Sequence, residues 1–275
     1  MKLLPLIIML SSVLTLSAFA SEADSVLNTS SNETASCKLI RASGNAEYPP
    51  YLWHSDKSVY LHGAIAMLLK ELSQEINTEI ELVYSGPWGR VQEDVAAGRI
   101  DMIAGAFFTL PRTHYMDYIY PDMMLTKTAV WMNTKNPFPY TQWKDLKSYH
   151  GVTVINNSFG QEFDEYAKQQ LNIEEVASLD QGLRMLSANR VDYLIYEENP
   201  GKAYAQKLSV NNLQTMPIEI TRQKLYLTMS KKSPCNSPSL RAKISKTLNK
   251  FIQENRAEVL LKRAHALWAN KQQTP

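Results

Sequence analysis

Residues 88–122 read WGRVQEDVAAGRIDMIAGAFFTLPRTHYMDYIYPD, and the reading of this stretch decides the fold. Trp88, Val91 and Val95 fall at i, i+3 and i+7, which is one face of a helix. Gly98 ends that helix, because glycine takes the left-handed C-cap conformation at little steric cost. Asp101–Ala106 (DMIAGA) is then an apolar run of strand length bounded by glycine. The chain leaves this strand into FFTLPR, Phe107–Arg112. A charged side chain seldom sits beside a buried apolar strand without a partner. Arg112 is therefore the expected ligand contact; the competing reading is a surface arginine covering a strand end.

Outward from that stretch, the same alternation continues toward the N-terminus. Cys37–Ser43 has the pattern of a first strand, and Glu47–Trp53 (EYPPYLW) is a loop held extended by two prolines. Its aromatic residues suit either a stacking platform or the cover of a core edge. Gly63–Ile76 is an amphipathic helix with Ile65, Leu68, Leu69, Leu72 and Ile76 on one face. Glu79–Tyr84 alternates as a half-buried strand. The order β, α, β, α, β argues for an open sheet with a parallel core.

Toward the C-terminus, Met124–Asn133 is extended, and a second unit follows the punctuation at Asn136–Pro139. It holds Trp143–Leu146, a strand at Val152–Ile155, a turn at Asn156–Gly160, and helices over Gln161–Leu171 and Ser178–Ala188. A strand at Asp192–Tyr196 ends on Glu197-Glu198. VAAGRIDMIAG (95–105) and MLSANRVDYLIYE (185–197) share one plan: helix, Gly or Asn terminator, arginine, aliphatic, aspartate, strand. The echo supports two similar α/β lobes. Pro217–Ser230 supplies strand-like segments, Ser237-Pro238 starts an amphipathic helix, and a last helix covers Arg256–Trp268. The expected division is 37–128 with 225–275 in one lobe and 129–224 in the other. Two crossings, near 124–133 and 217–228, form the hinge.

Residues 1–20 have the form of a cleaved secretory signal, with Lys2, an apolar Leu3–Leu16 and an A-x-A site at Ala18–Ala20. Its apolar core is short for a span of about 20 residues, so a retained membrane anchor fits less well. Residues 21–36 read as a polar, disordered leader. The formal charge is +2, or +1 once Lys2 is removed, which points to neither nucleic acid nor an anionic membrane as partner. The two cysteines, Cys37 and Cys235, form no CxxC or zinc pattern. An even count in an exported chain favours a bridge between them over two separate buried thiols.

YPPY (48–51), HGAIAMLLKEL, GRIDMIAGAFFTLPR, GVTVINNSFGQEF and NRVDYLIYEENP, in this order and spacing, resemble the bacterial extracellular solute-binding proteins of family 3. The resemblance runs over about 38–268. It implies a two-lobed α/β periplasmic binding protein fold of type II, with a ligand cleft between the lobes and a two-strand hinge. It also implies a receptor for polar amino acids serving an inner-membrane ABC permease. In this resemblance Arg112 holds the ligand carboxylate, a pairing suited to the planar guanidinium. Tyr48 and Trp88 pack on the ligand, amides of Ser158–Gln161 meet the carboxylate at a helix N-terminus, and Glu197 receives an ammonium. The candidate ligand residues are thus Arg112, Glu197, Tyr48, Trp88, Phe107, Thr109, Ser158, Phe159 and Gly160.

The chain departs from that pattern in three places. Phe107 and Gly160 stand where hydroxyl residues are common, and Glu197 is one methylene longer than the usual aspartate. The pocket is therefore more aromatic, and a non-standard amine, a peptide or an aromatic acid stays open as ligand. An enzyme of the same fold, such as a dehydratase, is the alternative class, and a ligand sensor is a third. Against an enzyme, His54, His62, His114, His150 and His265 are scattered and suggest neither triad nor metal site. No cofactor or metal is expected, and the partner is a small carboxylate-bearing molecule bound by a monomer in the periplasm.

Overall fold

The computed structural model describes residues 37–273; the signal expected at 1–20 and the leader at 21–36 lie outside the described residues. The first strands are β1 (Leu39–Ser43), β2 (Glu47–Tyr48) and β3 (Leu52–Trp53). The extended loop expected at 47–53 is thus a small hairpin, in which Glu47 pairs with Trp53 and Tyr48 with Leu52. Helix α1 (Ala64–Ile76) buries the predicted face, and β4 (Glu79–Leu82) follows it. Helix α2 (Trp88–Ala97) buries Trp88, Val91 and Val95, and β5 (Met102–Ala106) leads to the turn carrying Arg112.

The second unit contains β7 (His150–Val154), α3 (Gln161–Gln170), β8 (Asn172–Val176), α4 (Leu179–Ser187), β9 (Tyr193–Glu197) and α5 (Glu198–Lys207). Ser178 caps α4 by accepting from the Gln181 amide, and Asn189 beyond its end has φ 53°, so asparagine takes the left-handed place that Gly98 takes after α2. Helices α6 (Pro238–Gln253) and α7 (Arg256–Gln273) close the chain and pack on α1. Two elements were not anticipated. Strand β8 (NIEEV) is an edge whose charged, exposed residues hide the period of a buried strand, and α5 begins directly on Glu198.

Between these units run two long strands, β6 (Met116–Asn133) and β10 (Leu213–Ser230), each of 18 residues. The sheet order is β4-β1-β5-β10-β6-β9-β7-β8. Strand β1 is parallel to β4 and β5, β7 is parallel to β8 and β9, and β6 and β10 are antiparallel to each other and to their outer neighbours. Two parallel three-stranded ends, each the base of a lobe, are therefore joined through one antiparallel pair. Burial along the pair follows from this: residues 128–133 and 225–230 are buried throughout, whereas 213–224 are largely open to solvent. Residues 128–132 pair with β9 and 226–229 with β5, so each long strand serves one lobe mainly at its C-terminal end. Cys37 and Cys235 meet with Cα atoms 5.1 Å apart, which ties the start of β1 to the entry of α6.

Candidate functional site

Arg112 sits on the 3-10 turn Pro111–His114 directly after β5 and is 6% exposed. Thr109 shapes the turn, its Oγ1 accepting from the Arg112 amide at 3.4 Å. The guanidinium donates through Nε to Gln92 Oε1 (3.2 Å), through Nη1 to the Phe107 carbonyl (3.1 Å) and through Nη2 to the Asn156 carbonyl (3.1 Å). It also lies 5.4 Å from the centre of the Trp88 ring. Three of its five N–H groups are thus taken by neutral oxygens, and its positive charge has no carboxylate among these partners. Phe107 contributes its carbonyl here, a role that any residue type would fill.

Glu197 ends β9 from the opposite lobe and is 0% exposed. Neither of its carboxyl oxygens has a hydrogen-bond partner among the described residues. Burial pushes this carboxyl up to about 8, against the opposing pull of its own backbone amide and of Arg112. Glu198, beside it, is ion-paired: it meets Lys127 at 3.0 Å and Lys202 one helical turn on, and the Lys202 bond, with Lys127, holds its carboxyl below the ordinary value. The two adjacent glutamates are therefore different in kind, and tertiary packing alone separates them.

Arg112 and Glu197 line one cavity together with Tyr48, Trp88, Phe107, Asn45, Leu52, Asn157 and Leu225. In this closed form it leaves about 20 Å³ for water, so a larger molecule enters only as the lobes part or the lining side chains move. The aromatic wall is Tyr48, whose ring centre lies 5.2 Å from Tyr51 and 6.4 Å from Tyr196. Burial, followed by the Glu197 charge, raises the Tyr48 hydroxyl well above its ordinary value, so it is a neutral donor. On the other side of Arg112 a wider cleft of about 530 Å³ opens between the lobes, lined by Gln92, Thr109, Tyr115, Ser158, Gln161 and Asp164 among others.

The second-lobe turn departs from what was expected of it. The Phe159 amide donates to Asp164 Oδ1 at 2.8 Å, the Ser158 hydroxyl donates to Asp164 Oδ2, and the Gly160 amide donates to Ser158 Oγ at 3.3 Å. The amide of residue 159 is thus occupied by a carboxylate of the following helix, and that of residue 160 by the Ser158 hydroxyl. The Phe159 ring is buried in the second lobe's core, and Gly160 packs against the Gln223 side chain, where a Cβ would stand 2.1 Å from Nε2. Neither residue lines the cavity around Arg112 and Glu197. Asn157, Gln92 and Asn45 were missed. Gln92 had a signal, since it lies one helical turn beyond Trp88, whereas Asn156-Asn157 read only as turn formers.

The lobes are in contact across the cleft. Besides the Arg112 bond to Asn156, Gln92 Nε2 donates to the same carbonyl at 3.1 Å, and the Leu110 amide donates to Gln161 Oε1 at 3.1 Å. Leu179 at the start of α4 donates to Glu47 Oε2 at 2.8 Å, Asn45 Nδ2 donates to the Tyr196 hydroxyl at 3.0 Å, and Asn199 Nδ2 donates to the Tyr51 hydroxyl at 3.1 Å. This is a closed conformation. Among the described residues no group of His, Cys, Asp or Glu is arranged to hold a metal, and no helix is long and apolar enough to cross a membrane.

Several solved structures share this architecture. A histidine kinase sensor domain with similarity to periplasmic binding proteins superposes with a TM-score of 0.69 at 19% identity, over 84% of this chain and 96% of that one. The amino acid ABC transporter substrate-binding protein AbpA from Streptococcus pneumoniae, bound to L-arginine, gives 0.69 at 18% identity over 84% and 96%. A mutant of the arginine-binding protein ArgBP from T. maritima gives 0.69 at 14% identity over 83% and 96%. These likenesses establish the periplasmic binding protein fold. No curated protein sequence matches the chain. The profile of the bacterial extracellular solute-binding proteins, family 3, matches residues 40–266, nearly all of the described chain. With the two-lobed sheet, the crossing strands and the interlobe cavity in place, the chain belongs to the bacterial extracellular solute-binding proteins of family 3.

Proposed function

We propose that this protein is an exported receptor that encloses a small amino-acid-like zwitterion between its lobes, unaltered, for ABC-type import. The observation that carries the reading is the pair formed by Arg112 and Glu197. They are a guanidinium and a carboxyl, contributed by opposite lobes, both buried and both lining one cavity. Neither has an ionic partner in hydrogen-bond contact, a costly state for buried groups unless something supplies the counter-charge. A carboxylate toward Arg112 and an ammonium toward Glu197 meet both needs, with Tyr48 and Trp88 against the apolar part. Because both lobes hold the same molecule, the ligand favours the closed state. AbpA bound to L-arginine and an ancestral arginine-binding protein bound to arginine lend support from the same fold. The sensor-domain neighbour supports sensing as the second outlet for the same pocket.

On this reading residues 1–20 are removed on export, and the lobes divide near residues 128 and 224. Supporting that division, the β6–β10 ladder shifts register at Leu225/Leu227 and twice between Thr215 and Thr221. The test is native mass spectrometry of freshly purified protein, followed by calorimetry with the molecule it retains. Arg112→Ala is expected to cost about 2–5 kcal/mol, roughly 30- to 4,000-fold in affinity. Affinity unchanged within about threefold removes Arg112 from the site. Steady conversion of the ligand by wild type replaces the receptor reading with an enzyme.

A further inference from the structure

Family 3 carboxylate recognition was expected to use main-chain amides at the start of α3, but in this chain that position is already satisfied. Asp164 lies within the first turn of α3, and its carboxylate takes the Phe159 amide and the Ser158 hydroxyl, while Ser158 takes the Gly160 amide. An acid at a helix N-terminus also neutralises the positive end of the helix dipole. A second anion arriving from the cleft therefore meets donors in use and a like charge.

One residue upstream the situation is the opposite. Asn157 lines both the inner cavity and the outer cleft, and so does Arg112. Its Nδ2 is buried and has no hydrogen-bond partner. On the first lobe, the Trp88 side chain lines the same cavity, and its Nε1 is likewise buried without a partner. Buried N–H groups are almost always paired, and leaving one unpaired is costly. Of the three unpartnered N–H groups among the described residues, those of Asn157 and Trp88 belong to residues that line the cavity with Arg112, the third being Trp268, and Glu197, with its orphaned acceptors, lines the same cavity.

We propose that the Asn157 side-chain amide is the second lobe's hydrogen-bond donor to the ligand carboxylate, with the Trp88 indole as its first-lobe counterpart. The assignment rests on the amino-acid-like ligand proposed above. It carries a specificity consequence. A carboxylate accepts from Asn157, Trp88 and the remaining Arg112 N–H groups at once, whereas a carboxamide must turn an NH₂ group toward one of these donors. The site therefore selects free α-carboxylates and rejects amidated or chain-extended ligands.

The test begins with a thermal-shift panel of the twenty common L-amino acids on the wild type, followed by calorimetry with the tightest binder and with its α-carboxamide. Wild type is expected to prefer the acid. Asn157→Ala is expected to weaken the acid about 10- to 100-fold and the carboxamide less than threefold. Asn157→Asp, which sets a carboxylate against a carboxylate, is expected to invert the preference. Because acid and carboxamide are compared within each variant, a general loss of stability cannot imitate this pattern. Equal losses for both ligands, or no loss for either, overturn the role of Asn157 and leave the receptor reading intact. A wild type that binds none of the twenty overturns the amino-acid reading, and this assignment falls with it.

Discussion

At the scale of the residue, Glu197 is the group whose state depends most on closure. Its ordinary carboxyl value is 4.5, and in the closed form burial raises it to about 8. By linkage, a raised acid adds nothing to the cost of ligand-free closure below pH 4.5. The cost then grows by about 1.4 kcal/mol per pH unit until the raised value is passed. An ammonium brought in by a ligand lowers the carboxyl again, so binding to the closed form at pH 7 expels most of one proton. Calorimetry of the tightest-binding amino acid in buffers of different ionisation enthalpy measures that proton, and Glu197→Gln is expected to abolish it. No proton release by wild type would mean that Glu197 is already ionised before the ligand arrives. Glu198, with its two lysine partners, is shifted the other way, its carboxyl held below the ordinary value.

At the scale of the element, helix ends fix the site more than helix interiors do. Gly98 closes α2 with φ 80°, and a Cβ there would stand 2.9 Å from the Lys232 Cβ. Gly98→Ala is therefore expected to destabilise the protein by about 1–2 kcal/mol, from the left-handed backbone alone, in urea unfolding. A smaller value would show that α2 ends without needing the left-handed turn. The start of α4 does a different task, since its Leu179 amide reaches across to the Glu47 carboxylate on the hairpin β2–β3. Burial raises the Glu47 carboxyl and this amide lowers it, so the bond offsets part of the cost of sequestering the acid. A hydrogen bond to a charged group contributes about 1.5–3 kcal/mol. Glu47→Ala is accordingly expected to shift the ligand-free protein toward an open form, seen as a larger radius of gyration in small-angle scattering. An identical scattering profile would show that the latch does not hold the lobes.

At the scale of the whole molecule, the antiparallel pair β6–β10 and the Cys37–Cys235 contact decide how the lobes are connected. The cysteines are 198 residues apart in sequence, so a bridge between them constrains most of the chain. The chain-entropy account gives about 5 kcal/mol for so long a loop, an upper figure. Non-reducing peptide mapping of exported protein should yield the linked pair, and Cys37→Ser with Cys235→Ser should lower the melting temperature. Two free thiols in that protein would remove the bridge from the description. Opening must bend the pair where both strands leave the lobes. The register-shifted stretch of β10 from Thr215 to Leu227, mostly solvent-accessible only as far as Lys224, is where the ladder is least regular.

Local pattern alone determined a good deal of this protein. The 3.6-residue period of Trp88, Val91 and Val95, the terminators Gly98 and Asn189, and the strand ending near Arg112 are local features, legible because backbone conformation and amphipathicity are written over a few residues. The N-terminal cap at Ser237 and the face of α1 were legible for the same reason. Tertiary structure alone decided three other things: that the hinge is a pair of 18-residue strands, that Asp164 and Ser158 rather than a ligand occupy the amides at 159 and 160, and that Asn157 completes the cavity. Each depends on which donors find which acceptors across the fold. Nothing in the pair Glu197-Glu198 distinguishes its members; burial of one and lysine pairing of the other do, because desolvation is a property of the packed lobes and not of the residue.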